Sequence, residues 1–235
     1  PSNRSTAPVH PLASALPSLG LVLRTPRLAL RPAWDEDIVG LVDAAVAGIH
    51  PADQMPFVVP WSLAPREEML PSTAKNIWEE RASREPENWN LSFAVRRVDA
   101  DVEAWWEAPI IGRQDYFVKN FALNRSVGTG SWLTASEQGK GLGKEMRQAI
   151  LAFAFDHLGA TEATSGAYDW NLPSQGVSRS VGYRENGRVR EVSAGQPART
   201  VLFAMEPHEF VRPEWALSVE GDVAGLRAEL GIPEA

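Results

Sequence analysis

Nine residues, Ser136-Glu137-Gln138-Gly139-Lys140-Gly141-Leu142-Gly143-Lys144, combine three alternate glycines with two lysines. Directly after them, Leu142, Met146, Ala149, Ile150, Phe153 and His157 recur every three or four residues, the spacing of an amphipathic helix. A helix start leaves its first N–H groups without partners and carries a partial positive charge. Bare glycine backbone lets a ligand approach those groups, and Lys140 and Lys144 add full charges. The chemistry this arrangement serves is anion binding, of a pyrophosphate above all.

Two familiar phosphate loops do not fit the spacing. Glu145 follows Gly143-Lys144 where a Walker loop needs Ser or Thr, and Lys144 stands where a dinucleotide fingerprint needs its third glycine. The pattern that fits is Gln138-x-x-Gly141-x-Gly143. It resembles the coenzyme A pyrophosphate loop of the GNAT acyltransferase superfamily. Its flanks resemble the RimJ/RimL-like branch in order: Arg24-Thr25-Pro26-Arg27-Leu28, the strand Gly130-Ser131-Trp132-Leu133-Thr134, the helix end Ala154 to Ala160, Asn171-Leu172-Pro173-Ser174, and Val181-Gly182-Tyr183. The branch's usual threonine-glutamate pair after the loop is Lys144-Glu145 here.

The resemblance implies an α/β (α+β) fold: one GNAT-like domain with a mixed, mostly antiparallel sheet, a splayed strand, and helices on both faces. It implies acetyl-CoA or another short acyl-CoA as co-substrate, with no metal. The coenzyme contacts it implies are Leu133, Thr134, Gln138, Gly139, Lys140, Gly141, Leu142, Gly143, Lys144, Asn171, Ser174 and Ser178. In that family a backbone N–H of the splayed strand stabilises the oxyanion, and the serine of Asn-x-x-Ser sits near the coenzyme sulfur. Asn171 reads equally well as a plain helix cap. Ser178 holds the position where many members carry a tyrosine acid. For the base that takes a proton from an attacking amine, Asp115 on the strand beside the gap and Glu137 before the loop are the candidates; Asp115 and Ser174 are the catalytic expectation.

The chain's 235 residues and 44% hydrophobic content suffice for one large core. A net charge of -7 argues against nucleic acid or an anionic membrane as partner. Without cysteine there are no disulfides or thiolate sites, and the four scattered histidines lack metal-ligand spacing. No apolar run has the length of a bilayer span. The expected location is cytoplasmic, the acceptor is an amine that the sequence does not specify, and a homodimer is left open. A succinyl-type transferase and a non-catalytic acyl-CoA sensor share the same motifs and stay as alternatives, as does a protein scaffold resting on exposed tryptophans.

Residues 1–20 read as a flexible, proline-bearing arm rather than a secretion signal. The domain is expected over 21–206, followed by an acidic tail over 207–235 with one short helix from Asp222 to Leu230. Within the domain, periodicity predicts a strand from Leu21 to Ala33 interrupted near Pro26, and a helix from Asp35 to Ile49. A second helix spans Arg66 to Arg84, with Pro71 marking its first turn. Strands follow at Asn88–Val98, Ala104–Val118, Phe121–Thr134 and Thr161–Tyr168. A helix over Asn171–Val181 and strands at Tyr183–Val192 and Arg199–Met205 close the domain. His50 to Pro65, rich in proline and apolar residues, reads either as a packed loop or as one wall of an acceptor pocket. Of the adjacent Trp105 and Trp106, at least one is expected at the surface or an interface.

Overall fold

The computed structural model describes residues 7–98, 104–193 and 195–233. Among them one nine-stranded sheet runs through the molecule. Its strands are β1 (Val22–Arg24), β2 (Leu28–Pro32), β3 (Asn88–Arg97), β4 (Ile110–Lys119), β5 (Ser126–Leu133), β6 (Glu162–Tyr168), β7 (Arg184–Ser193), β8 (Gln196–Met205) and β9 (Ser218–Glu220). The spatial order is β7-β8-β6-β5-β4-β3-β2-β1-β9. Every neighbouring pair is antiparallel except β5 and β6.

Alternation along the strands sorts side chains onto two faces. On one, Phe93 and Tyr116 pack with Met146, Ala149, Ile150 and Phe153 of α4 (Leu142–Phe153). On the other, Ala94 and Trp132 pack with Ile38, Leu41 and Val42 of α1 (Asp37–Val46) and with Met69 and Ile77 of α2 (Arg66–Ala82). Helices therefore cover both faces, as the fold expectation requires. A four-residue α3 (Phe121–Asn124), α5 (Leu172–Ser180) and α6 (Val223–Glu229) complete the helices among the described residues.

Several expected elements take a different form. Leu21 to Ala33 is a β1–β2 hairpin rather than one interrupted strand: Pro26 sits in a turn closed by Thr25 N to Leu28 O at 2.9 Å. α2 starts at Arg66, so Pro71 lies inside it and not in its first turn. The strand expected from Ala104 begins at Ile110; Trp105 and Trp106 occupy a 3-10 turn before it, with Trp105 buried and Trp106 partly buried against the β1–β2 hairpin. Phe121 to Asn124 is helical because Asn120 and Arg125, both in the left-handed region, turn the chain there before β5 begins.

The two end segments also join the body. Residues 17–20 form a 3-10 turn in which Ser18 and Leu19 are buried. Ser18 donates from N and Oγ to the Glu229 carboxylate, and Trp34 Nε1 donates to Leu19 O. In the acidic tail, besides the expected helix, β9 pairs with β1 as an added strand. The arm expected to be free is thus docked over these residues, because buried apolar and carboxylate partners await it.

Candidate functional site: a gap between two parting strands

β5 and β6 pair at only three positions, Ser126–Glu162, Val127–Ala163 and Gly128–Thr164. Beyond Gly128 the strands diverge, while β5 stays paired to β4 as far as Leu133. This is the splay that the sequence reading expected. A cavity of about 940 Å³ occupies the opening and reaches both sheet faces.

Backbone direction follows from two anchors. Thr134 N bonds to Ile111 O beside β4, and Thr129 O accepts from Ser165 Oγ on β6. Alternation then points the N–H groups of Ser131 and Leu133 away from β4 and into the gap.

On the α4 face, the glycine loop closes the open end of the gap. Gly139 and Gly141 have φ of +72° and +79°, which L-side chains rarely adopt. Gly141 is the residue before α4, and no side chain caps that helix. Glu145 N returns to Gly141 O, which leaves the N–H groups of Leu142, Gly143 and Lys144 without intrahelical partners. Gly139, Gly141, Gly143 and Lys144 line the cavity, as do Leu133, Asn171 and Ser174. The Asn171 side chain accepts from Ser174 N at 3.3 Å, so its cap role exists whatever else it contacts.

Other expected residues fall elsewhere. Gln138 lines the cavity, yet its amide is committed to Ile49 O and Leu133 O at 2.7 and 2.8 Å, tying the loop to the segment after α1 and to the end of β5. Lys140 is outside the cavity and pairs with Glu137 at 3.1 Å, so each occupies the other. Leu142 is core, and Thr134 is buried with its hydroxyl on Gly48 O. Ser178 is buried with an unpartnered hydroxyl and does not line the cavity. The side chains of Lys140, Leu142, Thr134 and Ser178 thus point away from the cavity or are engaged elsewhere, and the contact expected of the loop's backbone does not depend on them.

On the α1–α2 face, Asp115 lines the cavity and receives Arg113 Nε on Oδ1 at 2.6 Å. Arg113 also donates to Glu80 Oε1 and Ser92 Oγ at 2.5 Å and to Asn76 Oδ1 at 2.9 Å. Burial pulls the Arg113 guanidinium down, but the facing Asp115 and Glu80 carboxylates hold it above its ordinary value. Glu80 is pushed above the usual carboxylate range by burial; Arg113 opposes that and Asp115 adds to it. Two carboxylates thus share one cation at the cavity wall. His50, Gln54, Phe57 and Trp61 form the facing wall, so the proline-rich loop does line the pocket.

Sequence reading missed three groups that the fold assembles. Arg113, Asn76 and Glu80 come from β4 and α2, and no local spacing links them. Arg147 reaches the gap from α4. Glu145, which departs from the family's motif only in its neighbour, accepts from Thr25 Oγ1, Arg27 N and Arg27 Nε, clamping the β1–β2 turn to the glycine loop. A glutamate among the inward positions of an amphipathic helix was the one available hint for the last.

Residues 27–184 match the acetyltransferase (GNAT) domain family, and the chain belongs to that family. Solved structures with the same fold include RimJ of Mycobacterium smegmatis in complex with CoA-disulfide, 19% identical, with a TM-score of 0.62 over 92% of this chain and 98% of that one. RimL, a ribosomal L7/L12 α-N-protein acetyltransferase in complex with coenzyme A, is 17% identical with a TM-score of 0.62 over 77% and 95%. Spermidine N-acetyltransferase from Vibrio cholerae in complex with CoA and spermine is 15% identical with a TM-score of 0.59 over 80% and 100%. At these identities the likeness is one of fold.

Proposed function

We propose that the protein is an acyl-CoA-dependent N-acyltransferase of the RimJ/RimL-like branch, carrying an acyl group onto a primary amine by direct attack in a ternary complex. The observation that carries this reading is the parted β5–β6 pair, with an uncapped helix start on one face of the gap and a carboxylate on the other.

The residues divide the work by face. The N–H groups of Leu142, Gly143 and Lys144, with the Lys144 ammonium, would hold the donor's pyrophosphate. The donor's arm would then run along β5, where the N–H groups of Ser131 and Leu133 have no sheet partner on that side. One of these N–H groups would also face the carbonyl oxygen as it gains negative charge. Ser174 Oγ, which has no hydrogen-bond partner among the described residues, would donate to the departing sulfur.

An amine entering from the His50–Trp61 side meets Asp115. Oδ1 of Asp115 is held by Arg113, and Oδ2 has no partner among the described side chains, leaving it to take a proton directly or through water. An α-amino group, with a reference pKa of about 7.7–8.0, needs less help than a lysine at about 10.4.

The test is mass spectrometry of protein N-terminal peptides, lysine peptides and polyamines incubated with the protein and an acyl-CoA series. A mass increment on an amine, lost in Asp115→Asn, is expected. Tight CoA binding with no increment on any amine would instead mark a non-catalytic acyl-CoA-binding module.

A further inference from the structure

Arg147 is the charged group in the gap to which the transfer reaction gives no part. It projects from α4 between the parting strands, where Nη1 donates to Ser165 Oγ on β6 at 3.2 Å and Nη2 to Ser131 Oγ on β5 at 3.0 Å. The residue is 4% exposed and lines the cavity, and its Nε has no partner. No carboxylate among the described residues pairs with it, whereas the comparably buried Arg31 and Arg96 share Asp37. Burial already pulls the Arg147 guanidinium below its ordinary value.

A buried cation without a counter-charge is unfavourable, and an anion bound at the same depth would relieve it. Position identifies which anion. Ser165 immediately follows Thr164, the last residue of β6 that pairs with β5, and its hydroxyl also donates to Thr129 O at 3.3 Å. Tyr183 OH closes the same corner against Thr129 Oγ1 at 2.9 Å. Arg147 therefore marks the closed apex of the gap, and the glycine loop marks its open end. A donor with phosphates at the loop and its arm along β5 would direct its acyl group toward the apex.

We propose that this apex is a carboxylate subsite and that the preferred donor is the CoA thioester of a short dicarboxylic acid, of succinyl type. This rests on the reading of the gap as an acyl-CoA site. The free carboxylate ion-pairs with Arg147 and accepts from the hydroxyl of Ser131, while Ser165 keeps its bond to Thr129 O. It takes no part in the chemistry: the amine nitrogen bonds to the thioester carbonyl carbon, the C–S bond breaks with its electron pair on sulfur, and the ammonium proton passes to Asp115 or water. The product is an amide ending in a carboxylate, which reverses the charge of the modified amine.

The experiment is calorimetric titration of the full chain with free CoA, butyryl-CoA and succinyl-CoA, alongside kcat/KM for the two thioesters. A charge-assisted pair in a buried site predicts that succinyl-CoA binds about 10–100-fold more tightly than butyryl-CoA. Arg147→Gln should erase that ratio while free CoA binds as before, and Arg147→Lys should keep part of it. Should Arg147→Gln fail to fold, the ratio in the unaltered protein decides alone. Equal affinity for both thioesters, with free CoA bound, overturns the carboxylate subsite only. No binding of free CoA at all overturns the underlying acyl-CoA reading.

Discussion

Replacing Gly141 by Asn and by Asp separates backbone strain from charge at the proposed pyrophosphate cradle. Gly141 has φ +79° and ψ 0°, and a Cβ there would stand 3.4 Å from Arg27 Nη2, an ordinary contact. Steric clash is thus minor and the cost is left-handed backbone, about 1–2 kcal/mol for a general residue and less for Asn or Asp. For a chain of this size that lowers Tm by roughly 2–4 °C per kcal/mol, alike in both variants. Both side chains are also able to cap the free N–H groups of α4, so the pair differs in one charge alone. A carboxylate about 4 Å from a phosphate oxygen, at an effective dielectric near 20, is repelled by about 4 kcal/mol. That is nearly 10³ in affinity, and partial solvation at the cavity rim reduces it to roughly 10². Calorimetry with CoA at about 0.1 M and 1 M salt should show Asp binding some 10²-fold more weakly than Asn at low salt, with the ratio collapsing at high salt. Equal affinities of the two variants at low salt would refute an anion at this loop.

Asp115→Asn should lower kcat by about 10²–10⁴-fold with CoA affinity kept, and the loss should shrink as pH nears the acceptor's own pKa, since solvent then supplies free amine; a pH–rate profile parallel to that of the unaltered protein would remove Asp115 as the base. Glu80 has a raised pKa in the folded state, so its stabilising contribution is full below its unfolded value of about 4.3 and is lost as pH rises through the raised one. The urea midpoint of the unaltered protein should therefore improve relative to Glu80→Gln as pH falls from 7 to 4, and a constant difference would count against the raised value. Removing residues 1–20 exposes the site of Leu19 and strips Ser18 from Glu229. Burial of one leucine at about 1.5–3 kcal/mol and two lost bonds at about 1 kcal/mol each predict a Tm lower by roughly 7–20 °C in thermal melts, and an unchanged Tm would show the docking to be idle.

The glycine loop, α4 and the Asn171 cap were legible because each is a local pattern: glycine where φ is positive, apolar residues at helical spacing, a side chain reaching three residues ahead. The splay could only be permitted by the glycines near Gly128, since pairing loss is a property of two strands about 35 residues apart in sequence. Gln138 shows the limit of a motif. Its place in the pattern is right, but its amide braces the backbone of Ile49 and Leu133, partners that only the fold brings near. Asp115 reads from the sequence as a lone carboxylate on a strand; Arg113 stands two residues away on that same strand, but the Glu80 and Asn76 that share its guanidinium lie on α2. Pro71 misled because a proline inside a helix removes one backbone bond, which the packing of Met69 and Ile77 on the sheet outweighs. Ser178 fits the motif by count but faces the core.

The three-position ladder between β5 and β6 has a mechanical consequence. Among the described residues it is the sole sheet joint between β7-β8-β6 and the six strands on the other side, whereas β3 and β4 are paired over nearly their whole length. Two cooperative blocks therefore meet along a seam that holds few backbone bonds of its own, and local opening, read as amide hydrogen exchange, should concentrate there. A donor lying in the gap would bond to β5 on one side and reach α5 and β6 on the other. It would act as a splint, so that the enzyme becomes one exchange-protected unit only while its substrate is aboard.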